Sequence, residues 1–203
     1  RLSDCELLSS ENNKRPAVVL RDQRSEIESM ISQCEKYEVD GKTCFKRSEL
    51  MEINGGKVFA FADNNDGIDS NGKLWVKGGL VIASGSAAPE EGFDCDNSQN
   101  FIVTGGILIG TGGAAISTSS SSTQRSVIYN GINAKTGDLF MITDPNGNPI
   151  LKYEFPRTMS RLALFFSSPD IKSGDTYTLY TGCAIEDNTV NWNGWFEDGI
   201  YAT

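Results

Sequence analysis

Between Glu49 and Gly113 apolar and polar residues alternate with a period of two in short runs, and a Gly-Gly pair breaks each run. The pattern is written three times: Leu50-Met-Glu-Ile before Gly55-Gly56, Leu74-Trp-Val-Lys before Gly78-Gly79, and Phe101-Ile-Val-Thr before Gly105-Gly106. A second apolar run follows each pair, at Val58–Phe61, Leu80–Ala83 and Ile107–Gly110. The pairs begin 23 and then 27 residues apart. A period of two predicts strands rather than helices. Recurrence at 20 to 30 residues predicts stacked units, none of which can bury its apolar face alone. The expected architecture is all-β: a right-handed parallel β-helix of a few coils, like residues stacked on like.

Alternation then assigns faces. Met51 and Ile53, Leu74 and Val76, Phe101 and Val103 point inward before the glycines; Val58 and Ala60, Val81 and Ala83, Leu108 and Gly110 do so after them. The opposite face carries Phe59, Phe61, Ile82 and Ile109. Such an apolar stripe is not left in water: the C-terminal segment packs on it, or a protein partner does.

The flanks read differently. Cys5–Ser9 and Pro16–Leu20 are strand-like. The charged stretch Arg21–Glu38, with Ile27, Met30, Ile31 and Cys34 at helical spacing, predicts a short surface helix inserted into one or two early coils. Ser117–Ser122 is a low-complexity bend where the architecture changes. After Ser126, Leu139–Thr143 and Pro149–Phe155 flank the turn signal Asp144-Pro-Asn-Gly-Asn, and Arg161–Phe166 and Thr176–Tyr180 flank Pro169–Asp175. Two antiparallel hairpins follow, a cap for the open end of the solenoid. Residues 1–125 form the β-helix with its irregular N-terminal insertion, and 126–203 the antiparallel cap with an aromatic tail.

Composition narrows the chemistry. The 203 residues carry a net charge of −9, against the basic stripe that nucleic-acid binding requires. No apolar run approaches the length of a membrane span. With no histidine, imidazole acid–base catalysis, His-based triads and His metal ligands are all excluded. The five cysteines show no Cys-x-x-Cys spacing, which argues against zinc. Cys95 aligns with Ser70 at an inward position and reads as a small buried hydrophobe; Cys34 and Cys44 are spaced to close a short loop. The chain opens on Arg1 without an export signal, consistent with a mature or trimmed fragment.

Two sets of residues are candidates for a site. Asp63, Asn65, Asp66 and Asp69 occupy one unit, and Glu90, Glu91, Asp94 and Asp96 the equivalent place in the next. Stacking sets equivalent residues about 4.8 Å apart, where carboxylates raise one another's pKa unless a cation intervenes. Asp63, Asp66, Asp69, Glu91, Asp94 and Asp96 are therefore candidate calcium ligands, Asp69 and Asp94 foremost because they match in position. The same residues are also ordinary turn formers. Trp75 points outward between Glu52 and Ile102, with Lys73 and Lys77 beside it. That suits a ring stacked on a sugar and lysines meeting uronate carboxylates; it equally suits a tryptophan packed beneath the cap or the N-terminal insertion. Trp192 and Trp195 offer a second platform or an anchor for the tail. Catalysis would need a lyase's cation and a Lys73 or Lys77 base on one face, or carboxylates spaced across a cleft, and no distinctive motif supplies either.

Three features together carry a family resemblance: the glycine pairs, Asp66-Gly-Ile-Asp-Ser with its counterpart Glu91-Gly-Phe-Asp-Cys, and Ile142-Thr-Asp-Pro-Asn-Gly-Asn-Pro-Ile followed by Ser167-Ser-Pro and Lys172-Ser-Gly-Asp-Thr-Tyr-Thr-Leu. Residues 49–181 resemble the secreted bacterial carbohydrate-binding domain-containing β-helix family, formerly a domain of unknown function. The resemblance implies a pectate-lyase-like fold, calcium between coils, and attachment to plant-type or acidic polysaccharide without cleavage. The expectation is thus a non-catalytic, calcium-stabilised polysaccharide-binding protein outside a bacterial cell or on its surface. Its rival is an adhesive or structural stalk whose apolar stripe binds a protein; a polysaccharide lyase comes third.

Overall fold

The computed structural model describes residues 50–185, 191–197 and 201–202, preceded by the backbone of four strands, β1 (Cys5–Leu8), β2 (Ala17–Leu20), β3 (Glu35–Val39) and β4 (Lys42–Lys46). The described part is all-β, and its one helical turn is a 3₁₀ turn at Ser98–Asn100.

The three repeats become three parallel sheets. β5 (Leu50–Ile53), β8 (Lys73–Val76) and β11 (Phe101–Val103) pair as one; β6 (Lys57–Phe61), β9 (Leu80–Ser84) and β12 (Ile107–Gly112) as another; β7 (Ile68–Ser70) and β10 (Phe93–Cys95) as a third, which Glu91 and Ala114 extend by a parallel bridge. Each strand pairs with its counterpart one repeat away, so Met51, Leu74 and Phe101 stand in one row and Val58, Val81 and Leu108 in another. The inward alternation follows: Leu74, Val76, Val81, Ala83, Phe93, Cys95, Phe101, Val103 and Leu108 form an inner core with Ile53 and Ile68. Cys95 lies opposite Ser70, and both are buried.

The corner between the first two sheets explains the glycine pairs. The second glycine of each has positive φ, +83° at Gly56, +95° at Gly79 and +97° at Gly106, a region costly for any residue with a Cβ. At Gly79 a Cβ would also stand 2.6 Å from the Gly56 carbonyl oxygen, whereas at Gly56 it would meet nothing.

Two devices close the third repeat. β16 (Met159–Ser167) lies antiparallel against β12 and against β13 (Ser126–Ala134), in the sheet order β13-β16-β12-β9-β6. Its Phe165 enters the inner core, 5.6 Å from Phe93 and 5.4 Å from Phe101 between ring centres. Gly110, opposite Phe165, leaves room for the rings: a Cβ there would stand 2.7 Å from Phe93. The edge of β11 is closed by the serine run: Ser119 N–H donates to the Phe101 carbonyl, Val103 N–H to Ser122 Oγ, and Gln124 N–H to the Val103 carbonyl. This stretch is therefore an edge cap built partly from side chains.

A six-stranded antiparallel sheet covers the apolar stripe. Its order is β18 (Asn191–Trp192), β19 (Trp195–Phe196), β15 (Pro149–Glu154), β14 (Leu139–Thr143), β17 (Thr178–Ile185), β20 (Tyr201–Ala202). Ile82 and Ile109 are fully buried in an outer core with Phe140, Ile142, Leu151, Tyr153, Leu164 and Phe166. Phe59 is partly buried beside it, and Phe61, at the first-repeat end, remains 40% exposed. The chain thus covers most of its own stripe, which removes Ile82 and Ile109 from reach of a protein partner.

Three expectations need correction. β16 and β17 do not form a hairpin around Pro169–Asp175: β16 is apolar on both faces and takes the central place that touches both cores, while β17 pairs with β14. No described early strand joins the parallel sheets; β1–β2 and β3–β4 are separate antiparallel pairs. Val39 faces Lys42 across two intervening residues, Asp40 and Gly41, a strong sequence signal for a two-residue hairpin. The predicted helix does not extend over Glu35–Glu38, which belong to strand β3; residues 21–34, and with them Cys34, lie outside the described residues.

The corner geometry predicts an asymmetry between equivalent glycines. Gly79→Ala should lower unfolding free energy by ~2 kcal/mol or more, combining positive φ with backbone crowding, and Gly56→Ala by only ~1 kcal/mol. Urea unfolding of the two variants measures this, and equal losses would show that the coils do not stack at this corner.

Candidate functional site

The two candidate sets fall on different sheets. Trp75 stands on the outer face of β8 with Glu52 of β5 on one side and Ile102 of β11 on the other. It is half-buried and belongs to neither core, so the C-terminal sheet does not cover it. The Lys73 and Lys77 ammonium groups lie 5.9 and 5.6 Å from the centre of its ring system, as positions i−2 and i+2 of one strand face require. Lys77 pairs with Glu52 at 2.9 Å, and Asn54 donates to the other Glu52 oxygen. The Lys77 and Asn54 hydrogen bonds hold the Glu52 carboxyl below the usual carboxylate range. This exposed ion pair is worth little in water, so a ligand carboxylate can compete for Lys77 at small cost. The indole N–H is buried without a partner. The surface thus offers a partly exposed indole between two cations, with a carboxylate and an amide at its border.

The acidic corner lies where the second sheet turns into the third. Parallel pairing sets Asp94 directly beside Asp69. Asp66 is drawn inward, its Oδ1 accepting the Glu91 N–H of the next repeat, while Gly67 N–H donates to the Glu91 carbonyl. Glu91 is half-buried, and its Oε2 has no partner. Burial first, then the charges of Asp94 and Asp66, push the Glu91 carboxyl up to about 7, although the Ile116 backbone works against the shift. Asp94 is raised by burial and by Asp66, and Glu90 by desolvation and the charges of Asp66, Asp94 and Asp69. The register therefore gathers Asp66, Asp69, Glu90, Glu91 and Asp94 into one acidic region. Asp96 is exposed just past β10 and adds to the field at Asp94, while Asp63 is exposed and its charge acts on Arg157. These oxygens are of the type a hard divalent cation takes. Among the described residues, however, no three of His, Cys, Asp or Glu are grouped as a metal would require.

Trp192 and Trp195, both partly buried, lie away from the other two sets. They face each other in β18 and β19 across Asn193-Gly194, both at positive φ, the two-residue turn that Asn-Gly favours. Both pack against the outer core; Trp192 meets Phe59 edge-on at 6.5 Å and lies 5.6 Å from the Lys57 ammonium.

Sequence reasoning missed Arg157. It reaches back 95 residues to donate from Nη2 to the Ala62 carbonyl at 2.6 Å, and its guanidinium carbon stands 3.9 Å over the Phe61 ring. Burial lowers its pKa, partly offset by Asp63. A lone arginine in a Pro-Arg-Thr loop carries no periodicity, so nothing in the sequence marks it.

Comparison with protein-family models, with curated proteins and with solved structures finds no match for this chain.

The Glu91 environment fixes a pH dependence. Its folded value, about 7, lies above the ordinary 4.5, so the folded state holds more protons between those values. The stability this confers is complete below pH 4.5 and lost as pH rises through about 7. With the half-exposed carboxyl discounted for solvent screening, the loss is ~1–2 kcal/mol. Thermal unfolding without divalent cations should show a lower Tm at pH 8 than at pH 5, and Glu91→Gln should flatten that difference. A Tm rising over this interval, or an unchanged slope in the variant, would contradict the assignment.

Proposed function

We propose that this protein binds acidic polysaccharide without cleaving it, outside a bacterial cell or on its surface. In this reading the stacked repeats form a short right-handed parallel β-helix that presents Trp75 on a flat face. The observation that carries it is Trp75 half-exposed between the Lys73 and Lys77 ammonium groups, on a sheet face the C-terminal cap leaves free. A pyranose ring can lie against the indole, as aromatic faces favour, while a uronate carboxylate meets the two cations. The parallel neighbours Glu52 and Ile102 extend the surface across three strands, matching a polymer better than a small enclosed ligand.

Calcium enters this reading as the counter-charge of the acidic corner, with Asp66, Asp69, Glu91 and Asp94 as the residues that would hold it. The support is chemical: carboxylates of adjacent repeats with raised pKa values at Glu91 and Asp94, and an unpartnered buried Glu91 oxygen. Asp63 and Asp96 play no part in this ligand set. A bound ion would lock adjacent repeats together and remove the repulsion between them. The non-catalytic reading rests on the separation of chemistries: Lys73 and Lys77 stand on the β5–β8–β11 sheet, and the acidic corner belongs to the β7–β10 sheet. A lyase would need its base and its cation at one sugar.

The test is retention on immobilised polygalacturonate and on a neutral glucan, with calcium and with chelator. Wild-type protein should be retained on the acidic polymer, and Trp75→Ala should weaken that binding about tenfold or more, the scale of a lost stacking contact and its hydrogen bonds. Chelator should lower Tm at pH 8 in the wild type and leave Asp69→Asn/Asp94→Asn unmoved. Undiminished retention of Trp75→Ala would refute the site, and release of unsaturated, ultraviolet-absorbing product would refute the non-catalytic reading.

A further inference from the structure

A cleft of about 400 Å³ opens between the turns that follow β6 and β9 and the loop that leads into β16. The turns contribute Asp63, Asn64 and Ser86, and the loop and strand start contribute Arg157, Thr158 and Ser160. Arg157 is held in place before any ligand arrives, by its hydrogen bond to the Ala62 carbonyl and by stacking on Phe61. Asp63, Asn64, Thr158 and Ser160 are exposed.

The lining has a specific chemical balance. Arg157 supplies donors only, Asp63 acceptors only, and the Asn64 amide with the Ser86 and Ser160 hydroxyls supply both, while the Thr158 hydroxyl is already bonded to Thr136. The two charges cancel, so the cleft favours neither an anion nor a cation. A carboxylate brought to Arg157 would meet Asp63 and one cation, whereas beside Trp75 two cations, Lys73 and Lys77, face the single carboxylate of Glu52. A ligand with several adjacent hydroxyls, each able to give and accept a hydrogen bond, matches the set. The volume lies at the small end for ligand clefts and suits one or two sugar rings.

We propose that this cleft is a second carbohydrate-binding site, selective for a neutral sugar unit, with Asp63 and Arg157 bracketing its hydroxyls. It rests on the reading of the protein as a polysaccharide binder but lies apart from Trp75, on the corner the cap's Arg157 loop completes. The two sites divide the polymer's chemistry: charged units lie along the β5–β8–β11 face, and a neutral unit or branch sits in the cleft. Arg157 joins the cap to the first repeat, so the cleft exists only when both are folded together.

Calorimetric titration of the full chain with a neutral tetrahexose and with a tetrauronide tests this. Asp63→Ala and Ser160→Ala, both at exposed positions and checked for an unchanged Tm, should each weaken the neutral ligand about tenfold, the scale of one charged or well-placed hydrogen bond. Both should leave the tetrauronide unaffected. Trp75→Ala should do the reverse. No neutral-ligand binding by the wild type, or neutral binding unchanged in both cleft variants, overturns the proposal. Equal loss of both ligands in Asp63→Ala also overturns it, since Asp63 would then act through the fold. Neutral binding that depends on Asp63 without any tetrauronide binding would sustain the cleft and sink the Trp75 site.

Discussion

Everything in this structure depends on one constraint: each strand of a repeat must pair, in parallel and without slippage, with the same strand of the next. A shift of one residue would turn Leu74, Val76, Phe101 and Val103 outward and bring Trp75 and Ile102 into the inner core, because side chains alternate with a period of two. The Gly-Gly corners hold the register from one side, where Gly79 and Gly106 pass within contact distance of the preceding corner's backbone. The inner core holds it from the other, with Phe93, Phe101 and Phe165 gathered at the end of the stack. The same register makes the candidate sites. Trp75 has Glu52 as its neighbour, and Asp94 has Asp69, only because like positions stack.

A stack of repeats leaves open edges, and the chain closes its last repeat by two different means. β16 supplies a true strand to β12, which serves the long apolar edge. The shorter β11 edge receives hydrogen bonds from Ser119, Ser122 and Gln124, so side-chain oxygens and loop amides replace a strand. Gln124 then ties this loop to the Gly106 carbonyl and to Ser167 of β16, and the two closures become one. Covering the outer stripe costs the protein a possible docking surface and gives it a second core. The candidate binding face lies instead on the β5–β8–β11 sheet, where Trp75 belongs to neither core.

How much of this could be read from the sequence depends on the range of the interaction. The repeats were legible because each glycine pair and each alternating run is a local signal repeated three times, and the inward residues followed from it. The turn at Asp144–Asn148 and the covering of the stripe were legible for similar reasons. The placement of β16 was not, because Arg161–Phe166 beside Pro169–Asp175 looks locally like half of a hairpin; only its apolarity on both faces hints at a place between two cores. Asp40-Gly41 and Asn193-Gly194 are equally local turn signals, each standing between two paired antiparallel strands. For the site, the row of Trp75 with its lysines and the pairing of Asp69 with Asp94 came from the register. The meeting of Asp63 and Arg157 in one cleft did not, since it joins residues 94 apart in sequence and no pattern announces it.

The most direct test of the account is the pattern of amide and Hα contacts between strands in solution, read by NMR on isotope-labelled protein. Parallel stacking without slippage predicts inter-strand contacts that follow the rows Glu52–Trp75–Ile102 and Asp69–Asp94, and continue from Phe61 through Ser84 to Thr111. Contacts shifted by one residue, or an antiparallel pattern between β8 and β11, would contradict the register and take both candidate sites with it.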